Sequence, residues 1–249
     1  MKDMNFDLNL LKNKNILITG ASNGIGKSLS ENLSKYGANV IMLSRNENAL
    51  DAIYDSLKKK YQTNPCILKC DLENLDDEKS QEIANIISKN YQNLDSIIHN
   101  AAILEKMSDI ESFDLQTWDK VMRVNLTSAF ILSKYLIPLM KSSPTPRIIF
   151  TTSSVGKKGK AFWGAYSVSK AGVNALSDIL SDELESISNI KVFNFDPKAT
   201  KTNMRAMAYP AEDPSANKNP DQLINYYLWM LSEKSSSAIE RYIEFGQDI

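Results

Sequence analysis

Short apolar runs separated by longer stretches of helical spacing restrict this chain more than any other feature. Ile16-Leu17-Ile18-Thr19, Val40-Ile41-Met42-Leu43, Ile67-Leu68, Ile97-Ile98, Ile148-Ile149-Phe150-Thr151 and Val192-Phe193 are rich in β-branched residues and read as buried strands. Between them apolar residues recur at i, i+3 and i+4, as in Ile83, Ile86 and Ile87, or in Leu176, Ile179, Leu180, Leu184 and Ile187. Continuous apolar strands alternating with helices call for a parallel sheet covered on both faces. Right-handed crossovers then wind that sheet in two directions. With a last strand over Ile239–Gly246, the expectation is an α/β fold: one doubly wound domain over residues 1–249, with a mostly parallel seven-stranded sheet and helices on both faces.

A chain of 249 residues suits one such domain. Its 29 Lys and Arg against 30 Asp and Glu leave a net charge of −1, which argues against nucleic acid or anionic lipid as partners. No run approaches 18 consecutive apolar residues, so no membrane span is expected. The opening Met1–Asp7 lacks the apolar stretch of a signal peptide. If Cys66 to Cys70 is a strand, the two thiols lie about 13 Å apart, too far for a disulfide, and face one side as buried groups. Two cysteines and the single His99 do not complete a tetrahedral zinc site, so no metal is expected. A cytoplasmic protein with a small-molecule partner fits these figures.

The run Ile16-Leu17-Ile18 leads into Thr19-Gly20-Ala21-Ser22-Asn23-Gly24-Ile25-Gly26, followed by the helical pattern Leu29, Leu33, Tyr36. Glycines at such a turn allow a tight bend and a close approach of backbone N–H groups to a pyrophosphate, with the helix N-terminus behind them. Gly20, Ser22, Asn23, Gly24, Ile25 and Gly26 are therefore expected to hold a dinucleotide. An NAD site places an acid about 20 residues on, for the ribose 2′-OH. Here Ser44 and Arg45 stand at the end of the second strand, where a hydroxyl and a guanidinium suit a 2′-phosphate. NADP(H) is the expected cofactor, the alternative being that Arg45 is a solvated residue at a helix start.

Tyr166-Ser167-Val168-Ser169-Lys170 lies in an apolar-striped helix, so Tyr166 and Lys170 share a face. A neighbouring ammonium favours the phenolate. Moving a tyrosine from about 10 to roughly 7 needs on the order of 4 kcal/mol of differential stabilisation.

The G-x-x-x-G-x-G spacing, Ser153 thirteen residues before Tyr166, Asn100-Ala101-Ala102 after the fourth strand, and Asn125 in Val124-Asn125-Leu126 follow one another in order. Together they resemble the short-chain dehydrogenase/reductase family, whose fold is the Rossmann type. The resemblance implies hydride transfer between nicotinamide and a carbonyl or alcohol carbon. In it Tyr166 gives or takes the proton, Ser153 positions the oxygen, Lys170 binds the nicotinamide ribose and tunes Tyr166, and Asn125 links Lys170 to bulk water. It also implies that Asp71, with Leu72 beside it, contacts the adenine. Asn100 and Ala101 flank the cofactor, and Pro197 and Thr202 hold the nicotinamide end. A homodimer or homotetramer is implied as well. Ser154 is a neighbouring decoy, since only one of the two serines is expected to point into the cleft.

Three departures from the family pattern stand out. Lys198 replaces the glycine after Pro197, Ala102 replaces the glycine of Asn-Ala-Gly, and the last strand lacks its early glycine. If that first glycine needs positive φ, Lys198 carries strain. These changes motivate the alternative function, a non-catalytic NADP(H)-binding or scaffold protein of the same fold. Residues 202–214 and Phe162-Trp163-Gly164-Ala165-Tyr166 resemble the YciK-like bacterial subgroup. The proline-rich stretch 197–220 reads as a substrate lid or loop, in which Met204, Met207 and Tyr209 either cover substrate or pack the loop. His99 reads as a core histidine, Lys157, Lys158 and Lys160 as a solvated loop or an attraction for an anionic substrate, Lys58–Lys60 as a helix end, and Trp118 and Trp163 as packing or subunit contacts.

Overall fold

The structure, a computed structural model, describes residues 5–249; Met1 to Met4 of the polar opening segment lie outside it. Seven strands run β1 (Asn15–Thr19), β2 (Asn39–Ser44), β3 (Cys66–Lys69), β4 (Ser96–His99), β5 (Arg147–Thr151), β6 (Lys191–Asp196) and β7 (Tyr242–Glu244). Among the described residues, nine α-helices lie between and beside them: α1 (Gly24–Lys35), α2 (Glu47–Lys60), α3 (Asp77–Asn90), α4 (Leu115–Met122), α5 (Ser128–Met140), α6 (Ser154–Lys157), α7 (Gly164–Glu185), α8 (Asn203–Ala208) and α9 (Ile224–Leu231). A π-type turn over Arg123–Thr127 joins α4 to α5. All strand pairs are parallel, in the order β3-β2-β1-β4-β5-β6-β7.

The strands are apolar throughout because both faces are covered. Ile16, Ile18, Val40, Met42, Phe193 and Phe195 pack with Leu29, Leu33, Leu50 and the α9 residues on one face. Leu17, Ile41, Leu43, Ile97, Ile148 and Val192 pack with Ile83, Ile87, Leu132, Val173 and Leu180 on the other. Adjacent residues of one strand thus serve opposite layers, as the pleat demands. Helix starts follow the short polar side chains: Asn46, Asp76 and Asp114 each accept an N–H of the first turn. Lys58, Lys59 and Lys60 close α2 as expected, with cations at the negative end of the helix.

Three expectations need correction. The helical stripe of α7 is wider than the face it buries, so Ile179 lies in solvent, as does Ile86 of α3, while Ile187 falls past the end of α7 at Glu185 and is exposed too. The last strand is shorter than Ile239–Gly246 and starts at Tyr242, since β7 is an edge strand with one neighbour and Ile239 is exposed. Cys66 and Cys70 are free but half-buried, because β3 is the opposite edge and ends at Lys69. Burial still raises both thiols, Cys70 to about 11. Arg147, which the sequence left unremarked, is fully buried at the start of β5. Its guanidinium donates to the carbonyls of Met230 at 3.0 Å and Ser232 at 3.1 Å, tying α9 to the sheet. Among the described residues no helix is long and apolar enough to cross a membrane.

Candidate active site

Strand order reverses between β1 and β4, whose crossovers leave in opposite directions, and this opens a crevice at the carboxyl ends of the strands. A cavity of about 530 Å³ lies there. Along it come the turn residues Gly20, Ser22, Asn23, Gly24 and Ile25, then Ser44 and Arg45 after β2, and Asp71 and Leu72 after β3. Asn100 and Ala101 follow β4, Ser153 follows β5, Tyr166 and Lys170 come from α7, and Pro197 and Thr202 follow β6. Every candidate residue borders this one cavity except Gly26 and Asn125.

Those two act from behind it. A Cβ on Gly26 would lie 2.1 Å from the Gly20 carbonyl oxygen, so glycine there lets α1 close onto the turn. Asn125 is buried and bonded at both ends of its amide. Its Oδ1 accepts the Ile103 N–H at 2.8 Å, and its Nδ2 donates to the Ile103 carbonyl at 2.9 Å and the Ser169 hydroxyl at 3.1 Å. Asn125 therefore clamps the segment after β4 to α7 at Ser169, the residue before Lys170.

At one end of the cavity the α1 N-terminus has no side-chain cap and no acid in its first turn, and Asn23 is extended. Its partial positive charge is directed at whatever occupies the crevice. The Ser44 hydroxyl donates to that of Ser22 at 2.8 Å. Arg45 forms no ion pair among the described residues. Thr19 spans the reversal point: its Oγ1 accepts the N–H groups of Asn100 and Ala101, each at 3.0 Å.

At the other end Tyr166 and Lys170 are both buried. Lys170 Nζ donates to the Thr151 carbonyl at 2.7 Å and sits 5.7 Å from the centre of the Tyr166 ring. Burial pulls Lys170 down to about 8, against the opposing pull of the Asp196 carboxylate. Tyr166 shifts the other way from expectation. Burial, helped by Asp196, raises its pKa, and only the hydrogen bond with Ser153 works to lower it. Desolvation of the phenolate outweighs that hydrogen bond. Ser153 is the serine bonded to Tyr166, yet Ser154, which opens α6, borders the cavity too.

Lys198 adopts φ +53, the left-handed conformation in which strain was expected. Its N–H donates to Asp196 Oδ1 at 2.8 Å, and its ammonium bridges Asp196 at 3.1 Å and Glu244 at 2.7 Å. Thr202 caps α8 by accepting the Arg205 N–H at 3.2 Å. Arg205 grips Glu212 through two bonds of 2.7 and 2.6 Å and lies 3.8 Å over the Tyr209 ring. Tyr209 lies 6.0 Å from Trp163, itself 5.6 Å from Tyr166, so an aromatic row leads away from Tyr166.

Several readings change with this geometry. Met204 and Tyr209 border the cavity, but Met207 points to solvent, since the short α8 offers the cavity one face. Trp163 also borders the cavity, whereas Trp118 packs edge-on against Phe113. Lys157 pairs with Glu244 at 3.0 Å and Lys160 donates to the Tyr209 hydroxyl at 3.3 Å, which leaves only Lys158 of that trio as a plain solvated group. His99 is a core histidine as read: it stacks on Phe150 at 4.8 Å with Nε2 3.0 Å from the Ser133 hydroxyl, and burial depresses it to about 3. Asp196, Arg205 and the Thr151 carbonyl went unnoticed in the sequence. Asp196 sits next to the flagged Pro197, and that adjacency was the available signal.

Comparison with known proteins agrees with the geometry. The sequence pattern of the short chain dehydrogenase family matches residues 14–213. An uncharacterized oxidoreductase of Escherichia coli K12, YciK, is 37% identical over 226 residues, 91% of this chain and 89% of its own. A short chain dehydrogenase from Shigella flexneri, solved in complex with NADP, superposes with a TM-score of 0.92 at 34% identity, covering 97% of this chain and all of that one. Another, from Escherichia coli CFT073 in complex with NADPH, gives 0.92 at 35% identity over 96% of this chain and 99% of that one. With a parallel sheet that reverses at β1 and β4, and a family pattern spanning most of its length, this chain is a member of the short chain dehydrogenase family.

Proposed function

We propose that the protein is an NADP(H)-dependent oxidoreductase acting on a small carbonyl or alcohol substrate. The observation that carries this reading is the convergence of Ser153, Tyr166 and Lys170 on the cavity that also receives the α1 N-terminus. The residues present suit a phosphorylated dinucleotide: an uncapped helix N-terminus without acids, the Ser22–Ser44 hydroxyl pair, and Arg45, without an ion pair among the described residues, where a 2′-OH site would need a carboxylate. The two NADP-bound relatives support the same choice. When bound, the dinucleotide supplies or accepts the hydride.

The protein's part is orientation and proton handling. Ser153, bonded to the Tyr166 phenol, holds the substrate oxygen beside that phenol, which gives or takes the proton. Lys170, held by the Thr151 carbonyl, reaches the nicotinamide ribose and lends its charge to a Tyr166 phenolate. Asn125 keeps α7 in register with the segment after β4. Asp71 and Leu72 take the adenine, while Pro197 and Thr202 take the nicotinamide end. Residues 197–220 form the substrate lid, with Met204, Tyr209 and Trp163 as its apolar wall. The domain spans residues 1–249 and works in the cytoplasm, where two free thiols stay reduced. Phe130 of α5, with Val168 and Ile179 of α7, is exposed and apolar, which supports assembly as a homodimer or homotetramer.

The test has two readouts. NADPH at about 100 times its Kd adds about 2.7 kcal/mol, so the melting temperature is expected to rise by roughly 5–10 °C, and by less with NADH. Arg45→Ala removes that preference. Tyr166→Phe lowers kcat/KM for a reducible carbonyl on the order of 10²–10⁴-fold with NADPH stabilisation retained. Stabilisation by NADPH without turnover of any carbonyl in a broad panel replaces this reading with the non-catalytic one, for which the strained Lys198 speaks.

A further inference from the structure

Lys198 occupies a backbone position that favours glycine, at φ +53, and the surroundings hold it there. Asp196 Oδ1 accepts its N–H at 2.8 Å, and its ammonium reaches Asp196 Oδ2 at 3.1 Å and Glu244 Oε2 at 2.7 Å. The Asp196 side chain is almost fully buried, and a carboxylate at that depth persists only where its charge is paired. Asp196 ends β6 one residue beyond Phe195, which pairs with Thr151 of β5. The Thr151 carbonyl is the acceptor that holds Lys170. Asp196, Tyr166 and Lys170 therefore border one cavity, and the Asp196 charge acts on both of the others.

We propose that Lys198 is a positioning residue for the proton-handling pair: its ammonium neutralises Asp196, and so limits the negative field that Asp196 imposes on Tyr166 and Lys170. This inference rests on the roles given above to those two residues. The charged groups around them balance. From β6 comes Asp196 and from β7 comes Glu244, while Lys157 of α6 pairs with Glu244 at 3.0 Å and Lys198 bridges both acids. Two negative and two positive groups form a closed set, and removing Lys198 leaves it one negative charge in excess. Lys218 also feels Asp196, but its ammonium donates to the Ala199 carbonyl at 2.5 Å and forms no ion pair with Asp196 among the described residues. Tyr242 of β7, which also feels Asp196, and Ser153, bonded to Tyr166, lie on that side as well. An uncompensated Asp196 favours the Lys170 ammonium and opposes the Tyr166 phenolate, so both groups give up their protons at higher pH.

The test reads Lys170 directly and needs neither cofactor nor turnover. Protein carrying ¹³Cε-lysine is titrated by NMR, with the Lys170 signal assigned by its loss in Lys170→Met. In Lys198→Met, Lys170 is expected to titrate at least about half a pH unit above the parent. In Lys198→Arg it stays at the parent value, and in Asp196→Asn it moves below it. A Lys170 titration unchanged in Lys198→Met, or shifted the same way in Lys198→Met and Asp196→Asn, overturns the proposal. If Lys198→Met does not fold, Asp196→Asn decides alone, and an unmoved Lys170 is the overturning result. Failure here leaves the hydride-transfer reading standing, and failure of NADPH binding or turnover leaves this titration untouched.

Discussion

Burial on β4 strips the His99 imidazole of water: one face stacks on Phe150 and Nε2 meets the Ser133 hydroxyl. The cation has nothing to solvate it, so the pKa falls from 6.5 to about 3. Between those values the unfolded chain binds a proton that the folded chain refuses. Stability attributable to this group is therefore complete above pH 6.5 and drains away as pH falls. At pH 5 the loss is about 2 kcal/mol. His99→Gln keeps a polar partner for Ser133 and does not titrate. In urea titrations it is expected to lose less stability than the parent between pH 7 and 5, by that amount; equal losses in the two proteins would refute the assignment. Ser153, Tyr166 and Lys170 were legible in the sequence through their spacing, and His99 through its place at the end of an apolar strand. The Thr151 carbonyl was not, since it acts through backbone that any residue could supply. Asp196 gains its meaning from the pairing of β5 with β6, which no local pattern discloses.

Helices α6 and α7 meet at Gly156, where a Cβ would lie 2.8 Å from the carbonyl carbon and Cβ of Lys170. Neither atom can yield without moving α7. Gly156→Ala is thus expected to destabilise the protein by about 1–3 kcal/mol by overpacking. It also shifts Ser153, at the head of α6, relative to Tyr166, so kcat drops while NADPH affinity holds; calorimetry and steady-state kinetics check the two effects. An unchanged kcat would show that α6 absorbs the methyl without disturbing Ser153. Central elements were the most readable from sequence. Strands β1, β2, β4 and β5 are buried on both faces and flanked on both edges, and each apolar run falls inside its strand, one residue short at one or both ends. The ends of β3 and β7 depend on a single neighbour, and the stripe of α7 continues onto a face that the core does not cover.

For the whole molecule, exposed apolar side chains include Phe130 on α5 and Val168 and Ile179 on α7, the helix that also carries Tyr166 and Lys170. Phe130 is 51% and Ile179 54% exposed, values that cost solubility unless a second subunit covers them. Light scattering after size exclusion is expected to give a dimer or tetramer for the parent and a smaller species for Phe130→Asp with Ile179→Asp. A parent that is monomeric at micromolar concentration contradicts this. The doubly wound plan was legible from the alternation of strand and helix, whereas the exposed apolar face of α7 was not, because a wide apolar stripe looks the same whether or not the core covers it.

The hydroxyl of Thr19 joins two halves of the chain that are made far apart in time. Strand β1 pairs with β4 only after β2, β3 and their helices have been laid aside, Ile16 meeting Ser96 across that gap. Closing such a span is slow, and nothing local rewards it early. The crevice also needs residues as late as Thr202, so most of the chain must leave the ribosome before the crevice exists. A ligand that fits there stabilises the finished fold and gives no help to the nascent first half, which must hold together on the β1–β2–β3 core alone until β4 arrives.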